Sequence, residues 1–254
     1  VGLISSGDEV IPPEESPRPG QVRDVNSYTL AALVTKAGGE PVLYGIVGDS
    51  FETLKETAAH ALTECEAVII TAGSSASTRD MTADVIDTLG KPGVLVHGVN
   101  TRPGKPTILG VCEGKAMIGL PGNPVSALVN GYMLVVPLIE RLLGQIPRPK
   151  ATLQARLTVN LPSQAGREDW WPVKLLRPER SGSVGDAQSK GSASKSTRPS
   201  TTPLQGSAQD EYNAEPIFGK SNLIFTLAAA DGLLKIPPDA TGLSAGELVE
   251  VLLV

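Results

Sequence analysis

Hydrophobic and polar residues follow one another along the first part of the chain in blocks that predict strands and helices in turn. Apolar blocks of strand length cover residues 1–5, 40–47, 67–71, 93–98, 108–112 and 115–120. Apolar residues at helical spacing predict helices that end before Gly38 and over 51–62, 81–89 and 125–143. Strands that alternate with helices are typical of an α/β domain with a mainly parallel sheet.

The starts of these helices carry recognisable polar residues. Asn26 or Ser27 is the expected cap of the first helix, and Asp49 with Ser50 begins the second. Asp80 stands directly before the third helix, where an N-cap residue is common. For each of these side chains, capping is the structural alternative to a functional role.

The pattern changes after residue 146, where Ile-Pro-Arg-Pro interrupts it. Strands are predicted at 152–161, 170–176, 233–236 and 248–253, and residues 221–229 begin with a helix or a strand. Residues 180–209 are rich in Ser, Gly, Thr, Gln and Lys, which predicts a disordered insertion. We therefore expect an α/β domain over 1–147 and a small, mainly β domain over 148–254.

Bulk composition narrows the class of protein. The 254 residues carry a net charge of −5 and a pI near 5.2, which argues against a nucleic-acid partner. No apolar run approaches the roughly 18 residues needed to span a membrane, so we expect no membrane partner and a cytoplasmic location. Cys65 and Cys112 fit no metal or redox spacing. The chain begins inside an apolar strand without a methionine, so we expect a fragment of a longer protein.

The most informative stretch joins a strand to a helix through Pro121-Gly122-Asn123-Pro124. Pro124 suits the first helical turn and Asn123 suits the N-cap. The glycine permits close approach of a ligand, and a helix N-terminus offers free N–H groups to an anion. The stretch therefore predicts a preformed anion-binding corner, with an ordinary strand-to-helix connection as the alternative.

Polar loops follow the strands, and in parallel sheets such loops meet at one edge. They cover residues 6–9, 73–80, 102–107 and 121–126. They bring carboxylates (Asp8, Glu9, Asp80) and cations (Arg102, Lys105) to one place. Cations suit phosphate or another oxyanion, and carboxylates suit a divalent cation that bridges phosphates. This combination indicates phosphoryl or nucleotidyl chemistry more than acyl transfer. The sequence has no P-loop motif and no G-x-G-x-x-G after its first strand, which argues against a P-loop NTPase and a dinucleotide-binding domain.

Four motifs in this order resemble those of a known family. They are Ser6-Gly7-Asp8-Glu9, the Gly/Ser loop ending in Asp80, Pro103-Gly104-Lys105-Pro106 and Gly119-Leu120-Pro121-Gly122-Asn123-Pro124-Val125-Ser126-Ala127. The chain resembles the molybdopterin molybdotransferases, the bacterial MoeA and gephyrin E-domain family, over nearly its whole length. The resemblance implies a three-layer αβα molybdopterin-binding domain followed by a barrel-like β domain.

The resemblance also implies an activity and a set of roles. The family inserts molybdate into adenylylated molybdopterin, which gives molybdenum cofactor and AMP, with Mg²⁺ as the metal. Asp8, Glu9 and Asp80 are the implied catalytic residues, with Glu9 and Asp80 at the metal. Arg102 and Lys105 are the implied oxyanion ligands. The implied pterin and molybdate pocket adds Gly73, Ser74, Ser75, Pro121, Gly122, Asn123, Pro124 and Ser126. Family members are dimers, so the implied partners are a homodimer mate and the molybdopterin adenylyltransferase, besides the small-molecule substrates.

Departures from the family pattern leave two further hypotheses. Ser74 replaces a usual glycine, Arg102 replaces a usual lysine, and the family's two N-terminal domains are missing from this sequence. One alternative is the related molybdopterin adenylyltransferase, which shares the α/β fold but is a single domain. The other is a non-catalytic pterin-binding or scaffold module. The appended β domain argues against the first, and the retained Asp80 and Lys105 argue against the second.

Overall fold

The computed structural model of the chain describes residues 1–72, 76–146, 149–177 and 212–254, and for residues 76–80 the backbone alone. Its helices are α1 (Asn26–Lys36), α2 (Phe51–Glu64), α3 (Ala76–Leu89), α4 (Pro124–Asn130), a π-helical turn (Gly131–Val135), α5 (Val136–Leu142) and α6 (Phe225–Ala228). Its strands are β1 (Gly2–Ser6), β2 (Val10–Ile11), β3 (Val22–Arg23), β4 (Val42–Val47), β5 (Ala67–Ala72), β6 (Pro92–His97), β7 (Thr101–Arg102), β8 (Ile108–Cys112), β9 (Lys115–Pro121), β10 (Thr152–Leu157), β11 (Leu161–Pro162), β12 (Glu168–Leu176), β13 (Tyr212–Pro216), β14 (Gly232–Ile236), β15 (Gly242–Leu243) and β16 (Leu248–Leu253).

The first part of the chain forms a six-stranded sheet with the order β4-β1-β5-β9-β8-β6. The β4, β1, β5 and β9 strands run parallel, and β8 is antiparallel to both neighbours. The β8–β9 hairpin predicted around Glu113-Gly114 is confirmed, because Cys112 pairs with Lys115. All five positions of β1 are buried, as expected for a strand covered on both faces.

Helices cover both faces of this sheet. On one face α2 and α3 pack through residues such as Leu54 and Ile86 against Ile70 and Met117. On the other face α1, α4 and α5 pack against the alternate strand positions. Side chains of successive strand residues point to opposite faces, so each central strand contributes to both cores. The predicted three-layer αβα arrangement with a mainly parallel sheet is confirmed, and we call this part the α/β unit.

The last helix of the α/β unit is continuous but irregular. The predicted single helix over 125–143 is instead α4, a π-helical turn and α5. Pro137 lies one residue into α5, has no N–H for the ladder and crowds the preceding turn, which accounts for the local π geometry.

The same helix corrects the expectation that no apolar stretch has the length to span a membrane. Residues Pro124–Leu142 number 19 with a mean hydropathy of 1.4, and half of the window is buried within the fold. Val135 and Ile139 face the sheet, whereas Val125 and Val129 face a second core shared with Trp170. The helix has apolar residues on two faces because it is packed on two sides.

Two of the predicted helix starts are wrong in detail. The N-cap of α1 is Val25, while Asn26 and Ser27 lie inside the helix, and the Asp24 side chain accepts from Ser27 N at 3.1 Å. Asp80 is not an N-cap, because α3 begins at Ala76. The start of α2 is confirmed, since Ser50 caps it by accepting from Thr53 N.

The second part of the chain closes into a barrel. Neighbouring strands follow the order β13-β10-β16-β14-β12, and β12 also pairs with β13. The interior contains Leu157, Val173, Leu234 and Val251. The predicted small barrel-like β domain is confirmed, with α6 as the helical choice for 221–229. The proposed boundary at 147/148 and the insertion at 180–209 lie outside the described residues.

The α/β unit and the barrel are tied together at several points. Strand β7 leaves the α/β unit and pairs in parallel with β12 of the barrel. Tyr132 Oη donates to the Leu253 carbonyl at 3.1 Å, and Lys150 Nζ donates to the Tyr132 carbonyl at 3.0 Å. These contacts fix the barrel beside the loop edge of the sheet.

Candidate functional site between the α/β unit and the barrel

Three strand ends of the α/β unit lie side by side at one edge of the sheet. Ser6 is in register with Ala72, and Ala72 is in register with Pro121. Antiparallel β8 begins at this edge, because Ile108 pairs with Gly119. The loops at 6–9, 102–107 and 121–126 therefore share one edge, as predicted.

A cleft of about 760 Å³ opens between this edge and the barrel. Its walls from the α/β unit include five of the predicted residues: Arg102, Lys105, Pro121, Asn123 and Ser126. Its walls from the barrel part include Arg167, Trp170, Trp171, Pro172, Ile217, Lys220 and Ser221. The cleft thus joins cations from both parts of the chain to an aromatic wall.

The loop that carries Lys105 is held rigidly from below. Asn130 Nδ2 donates to the Gly104 carbonyl at 2.9 Å and also to Thr107 Oγ1. Thr107 is fully buried, and its hydroxyl donates to the same carbonyl. Val99 N donates to the Lys105 carbonyl at 2.8 Å. The Lys105 side chain is exposed on a backbone that has little freedom to move.

The corner at 121–124 differs from the predicted anion site. Asn123 occupies the N-cap position but makes no side-chain capping bond. Val125 N donates to the Ser221 carbonyl at 3.0 Å, and Pro124 has no N–H. Most of the first-turn donors are therefore unavailable to a ligand. The corner instead serves to seat the barrel and to present the Asn123 side chain at the cleft.

Cations at the barrel side are organised by one carboxylate. Asp169 is fully buried and accepts from Arg167 Nε at 2.7 Å and Nη2 at 3.1 Å. This pairing raises the pKa of Arg167 above its usual range. Arg102 Nη1 lies 3.7 Å from the same carboxylate, and its guanidinium lies 5.4 Å from the Trp171 ring centre.

Carboxylates gather at the other end of the edge, where β1 and β4 finish. Asp8 Oδ1 accepts from Asp49 N at 3.0 Å. Burial, followed by the charges of Asp8 and Glu9, raises the pKa of Asp49 above its usual value of 3.8. Sequence reasoning took Asp49 for a helix start, so its place beside Asp8 and Glu9 was missed.

The remaining predicted residues are those of the loop before α3 and the two metal ligands, Glu9 and Asp80. Gly73, Ser74 and Ser75 lie outside the described residues, and Asp80 is placed on α3 by its backbone. Among the residues whose side chains are described, no group of three His, Cys, Asp or Glu residues is arranged to hold a metal ion. Asp8 and Glu9, which lie near Asp49, can offer one or two carboxylates to an ion. Mg²⁺ commonly uses one or two carboxylates and completes its shell with phosphates and water, so these residues fit that ion.

The barrel residues of the cleft were also missed. Arg167, Trp170 and Trp171 stand within five positions of one another in the segment Arg-Glu-Asp-Trp-Trp. The available signal was five aromatic or ionic residues in succession, which include both Trp residues of the chain. Their role could not be read from the pattern because it depends on how the barrel docks.

Family models match both parts of the chain. The model described as "Probable molybdopterin binding domain" matches residues 2–141, and that of the "MoeA C-terminal region (domain IV)" matches residues 193–254. The chain is similar to the molybdopterin molybdenumtransferase of a Nostoc species, at 37% identity over 57% of this chain and 34% of the relative. It is similar to molybdopterin molybdenumtransferase 1 of Mycobacterium tuberculosis, at 30% identity over 99% of this chain and 53% of the relative.

A solved structure extends the likeness to three dimensions. A molybdopterin biosynthesis MoeA protein from Pyrococcus horikoshii superposes with a TM-score of 0.75 and 35% identity, over 99% of this chain and 53% of that one. The chain spans about half the length of the relatives that it matches along its whole length. The first family match alone covers more than half of the 254 residues, and the predicted resemblance is confirmed. This chain belongs to the MoeA family of molybdenum cofactor biosynthesis proteins.

Proposed function

We propose that the chain forms the substrate cleft of a molybdopterin molybdotransferase. The protein inserts molybdate into adenylylated molybdopterin and releases molybdenum cofactor and AMP. The observation that carries the proposal is the cleft itself, a cavity of about 760 Å³ that is lined by Arg102 and Lys105 from the α/β unit and by Arg167 and Lys220 from the barrel part. A cleft of this size with cations on both walls suits an elongated ligand that carries several anionic groups.

Each part of the cleft has a role in binding. Lys105 and Arg102 hold oxyanions, which are the phosphate groups of the substrate or the incoming molybdate. Asn123, free of capping, offers an amide to the pterin, and the 4% exposed Ser126 shapes the floor. The walls of Trp171 and the barrel shield the reacting groups from water, which strengthens every charge interaction inside.

In this proposal the metal ion binds at the end of the sheet edge where β1 and β4 finish. Glu9 and Asp80 are the proposed ligands of Mg²⁺, and Asp8 and Asp49 lie near Glu9. The ion would neutralise phosphate charge. Burial is the main reason that the pKa of Asp49 is raised, and the charges of Asp8 and Glu9 add to it; a positive ion would relieve that added repulsion.

The assay uses the full-length protein and follows release of AMP from adenylyl-molybdopterin with molybdate and Mg²⁺. Lys105→Ala and Asp80→Asn should each lower the rate at least tenfold. Lys36→Ala is the control, since it removes the same charge from the exposed last turn of α1, where that helix reaches the opposite edge of the sheet. Unchanged rates in both cleft variants would refute the proposal.

Calorimetry on this chain separates binding from turnover. Adenylyl-molybdopterin should bind the wild-type chain, and Lys105→Ala should weaken binding while circular dichroism shows an intact fold. Formation of pyrophosphate from ATP and molybdopterin would instead favour the adenylyltransferase hypothesis. Retained ligand binding without any turnover by the full-length protein would favour the scaffold hypothesis. The homodimer and an association with the adenylyltransferase are part of the proposal, and sedimentation of the full-length protein alone and with that enzyme tests both.

A further inference from the structure

We infer that Asp169 is a positioning residue, which holds Arg102 and Arg167 in the orientation that lets the cleft bind an oxyanion. This inference rests on the proposed function for the ligand, and on the contacts of the barrel for the geometry. Asp169 lies on β12, and its backbone is in register with Arg102 of β7. A strand from the α/β unit thus brings its arginine directly beside a carboxylate of the barrel.

The carboxylate is saturated by its neighbours. Arg167 binds both oxygens, and Ser163 Oγ donates to Oδ2 at 3.0 Å. Arg102 Nη1 lies 3.7 Å from Oδ2. A buried charge is tolerated only when it is paired and hydrogen-bonded in this way. The side chain of Asp169 is 1% exposed, so it contacts no ligand in the cleft and acts through the arginines alone.

The Arg102 guanidinium is held by two neighbours, Asp169 and Trp171, and its remaining edge is exposed. One side of its guanidinium points to Asp169, and the Trp171 ring lies 5.4 Å from Cζ. The side chain remains 54% exposed, and it lines the cleft with Arg167, whose side chain is 25% exposed. One carboxylate and two guanidinium groups leave a net charge of +1, which the exposed edge of Arg102 presents to the cleft.

Two effects oppose each other when the charge of Asp169 is removed. A purely electrostatic view expects Asp169→Asn to bind anions more tightly, because a negative charge is lost near the cleft. The positioning view expects weaker binding, because the two guanidinium groups lose the negative charge that both of them approach and repel each other. The second effect should win, since a bidentate contact depends on orientation and the lost charge is already neutralised by Arg167.

The test compares Asp169→Asn with Glu168→Gln in the intact chain. Glu168 is the neighbouring carboxylate, it pairs with Lys235 at 2.6 Å, and the substitution removes the same charge. Its Oε1 also accepts from Trp170 Nε1 at 2.8 Å, and the amide oxygen of glutamine can keep that hydrogen bond. Molybdate and pyrophosphate are the calorimetric probes. We expect Asp169→Asn to weaken binding about tenfold and Glu168→Gln to change it less than about twofold. Equal or tighter binding by Asp169→Asn would overturn the inference.

A second readout does not depend on any ligand. Phenylglyoxal labels arginine side chains, and peptide mass spectrometry reports the rate at each one. We expect Arg102 and Arg167 to be labelled several times faster in Asp169→Asn and at the wild-type rate in Glu168→Gln. Unchanged labelling in Asp169→Asn would overturn the positioning role.

The two readouts separate this inference from the proposed function. If the wild-type chain binds neither probe but labelling accelerates as expected, the oxyanion site fails and the positioning role stands. Ser163→Ala covers the case in which Asp169→Asn does not fold, because it keeps the charge and removes one hydrogen bond to Oδ2. It should accelerate the labelling of Arg102 by a smaller factor, and an unchanged rate there would count against the inference.

Discussion

Replacing Gly104 with alanine perturbs the loop that carries Lys105 at its most constrained point. The Gly104 backbone has a φ of +100°, which L side chains rarely adopt, and a Cβ added there would lie 2.6 Å from Asn130 Cγ. Asn130 is 3% exposed and cannot swing into solvent without losing its bonds to the Gly104 carbonyl and Thr107 Oγ1. The added methyl group must therefore strain the backbone and displace a buried amide.

The magnitude follows from these two contributions. Backbone strain at a position of this kind costs about 1–3 kcal/mol. The two hydrogen bonds of Asn130 contribute about 1 kcal/mol each. We expect Gly104→Ala to lower the free energy of unfolding of the α/β unit by about 3–5 kcal/mol. Urea unfolding followed by far-UV circular dichroism reports this unit, because α1 to α5 lie in it.

A matched glycine isolates the backbone contribution. Gly114 lies in the β8–β9 turn with a φ of +80°, and no atom comes within 4 Å of a Cβ added there. Gly114→Ala should therefore cost only the backbone strain, about 1–3 kcal/mol. Combining Gly104→Ala with Asn130→Ala should recover about 2 kcal/mol relative to the sum of the single changes, because the displaced amide is already gone. Additive costs within about 0.5 kcal/mol would refute the packing explanation.

Three further predictions concern Asp49, the tryptophans of the cleft, and the contact between the α/β unit and the barrel. The pKa of Asp49 in the folded protein is raised above 3.8, so Asp49 contributes stability below that pH and loses the contribution as pH rises through the folded pKa. Asp49→Asn should therefore raise the urea midpoint at pH 7. It should also reduce the decrease of the urea midpoint that Asp49 causes between pH 4 and 7. The chain's two tryptophans, Trp170 and Trp171, both line the cleft, so adenylyl-molybdopterin should change the intrinsic fluorescence and Lys36→Ala should leave that change intact. Tyr132→Phe removes the hydrogen bond to the Leu253 carbonyl and should cost about 1 kcal/mol, seen as an earlier fluorescence transition in urea.

Local patterns predicted the α/β unit well because its elements are determined by burial on a sheet. Continuous apolar runs such as 67–71 and helical repeats such as 51–62 correspond to β5 and α2 within two residues. The meeting of the loops at one edge also followed, since it is a property of parallel strands in general. The same property predicted that the loop with Lys105 and the corner at 121–124 lie at this edge.

Contacts between distant segments explain what the sequence could not reveal. The donor of Val125 is taken by the Ser221 carbonyl, 96 positions further along, and no local pattern records such a pairing. Asp49 was predicted to begin a helix because carboxylates are common at helix starts, and the sequence does not distinguish that role from a position beside Asp8. The π-helical turn had a local signal in Pro137, but its geometry depends on packing from both sides.

The site is formed by both parts of the chain, and this explains why the helix from 124 to 142 has two apolar faces. The face with Val135 holds the sheet, and the face with Val125 and Val129 holds the barrel against the sheet's loop edge. The docking in turn lets β7 pair with β12, which places Arg102 beside Asp169. A change at the barrel interface should therefore weaken oxyanion binding without altering any of the cations that line the cleft. Tyr132→Phe provides that case, because it removes the hydrogen bond to the Leu253 carbonyl and so holds the barrel less firmly. We expect the dissociation constant for pyrophosphate to rise and phenylglyoxal to label Arg102 faster.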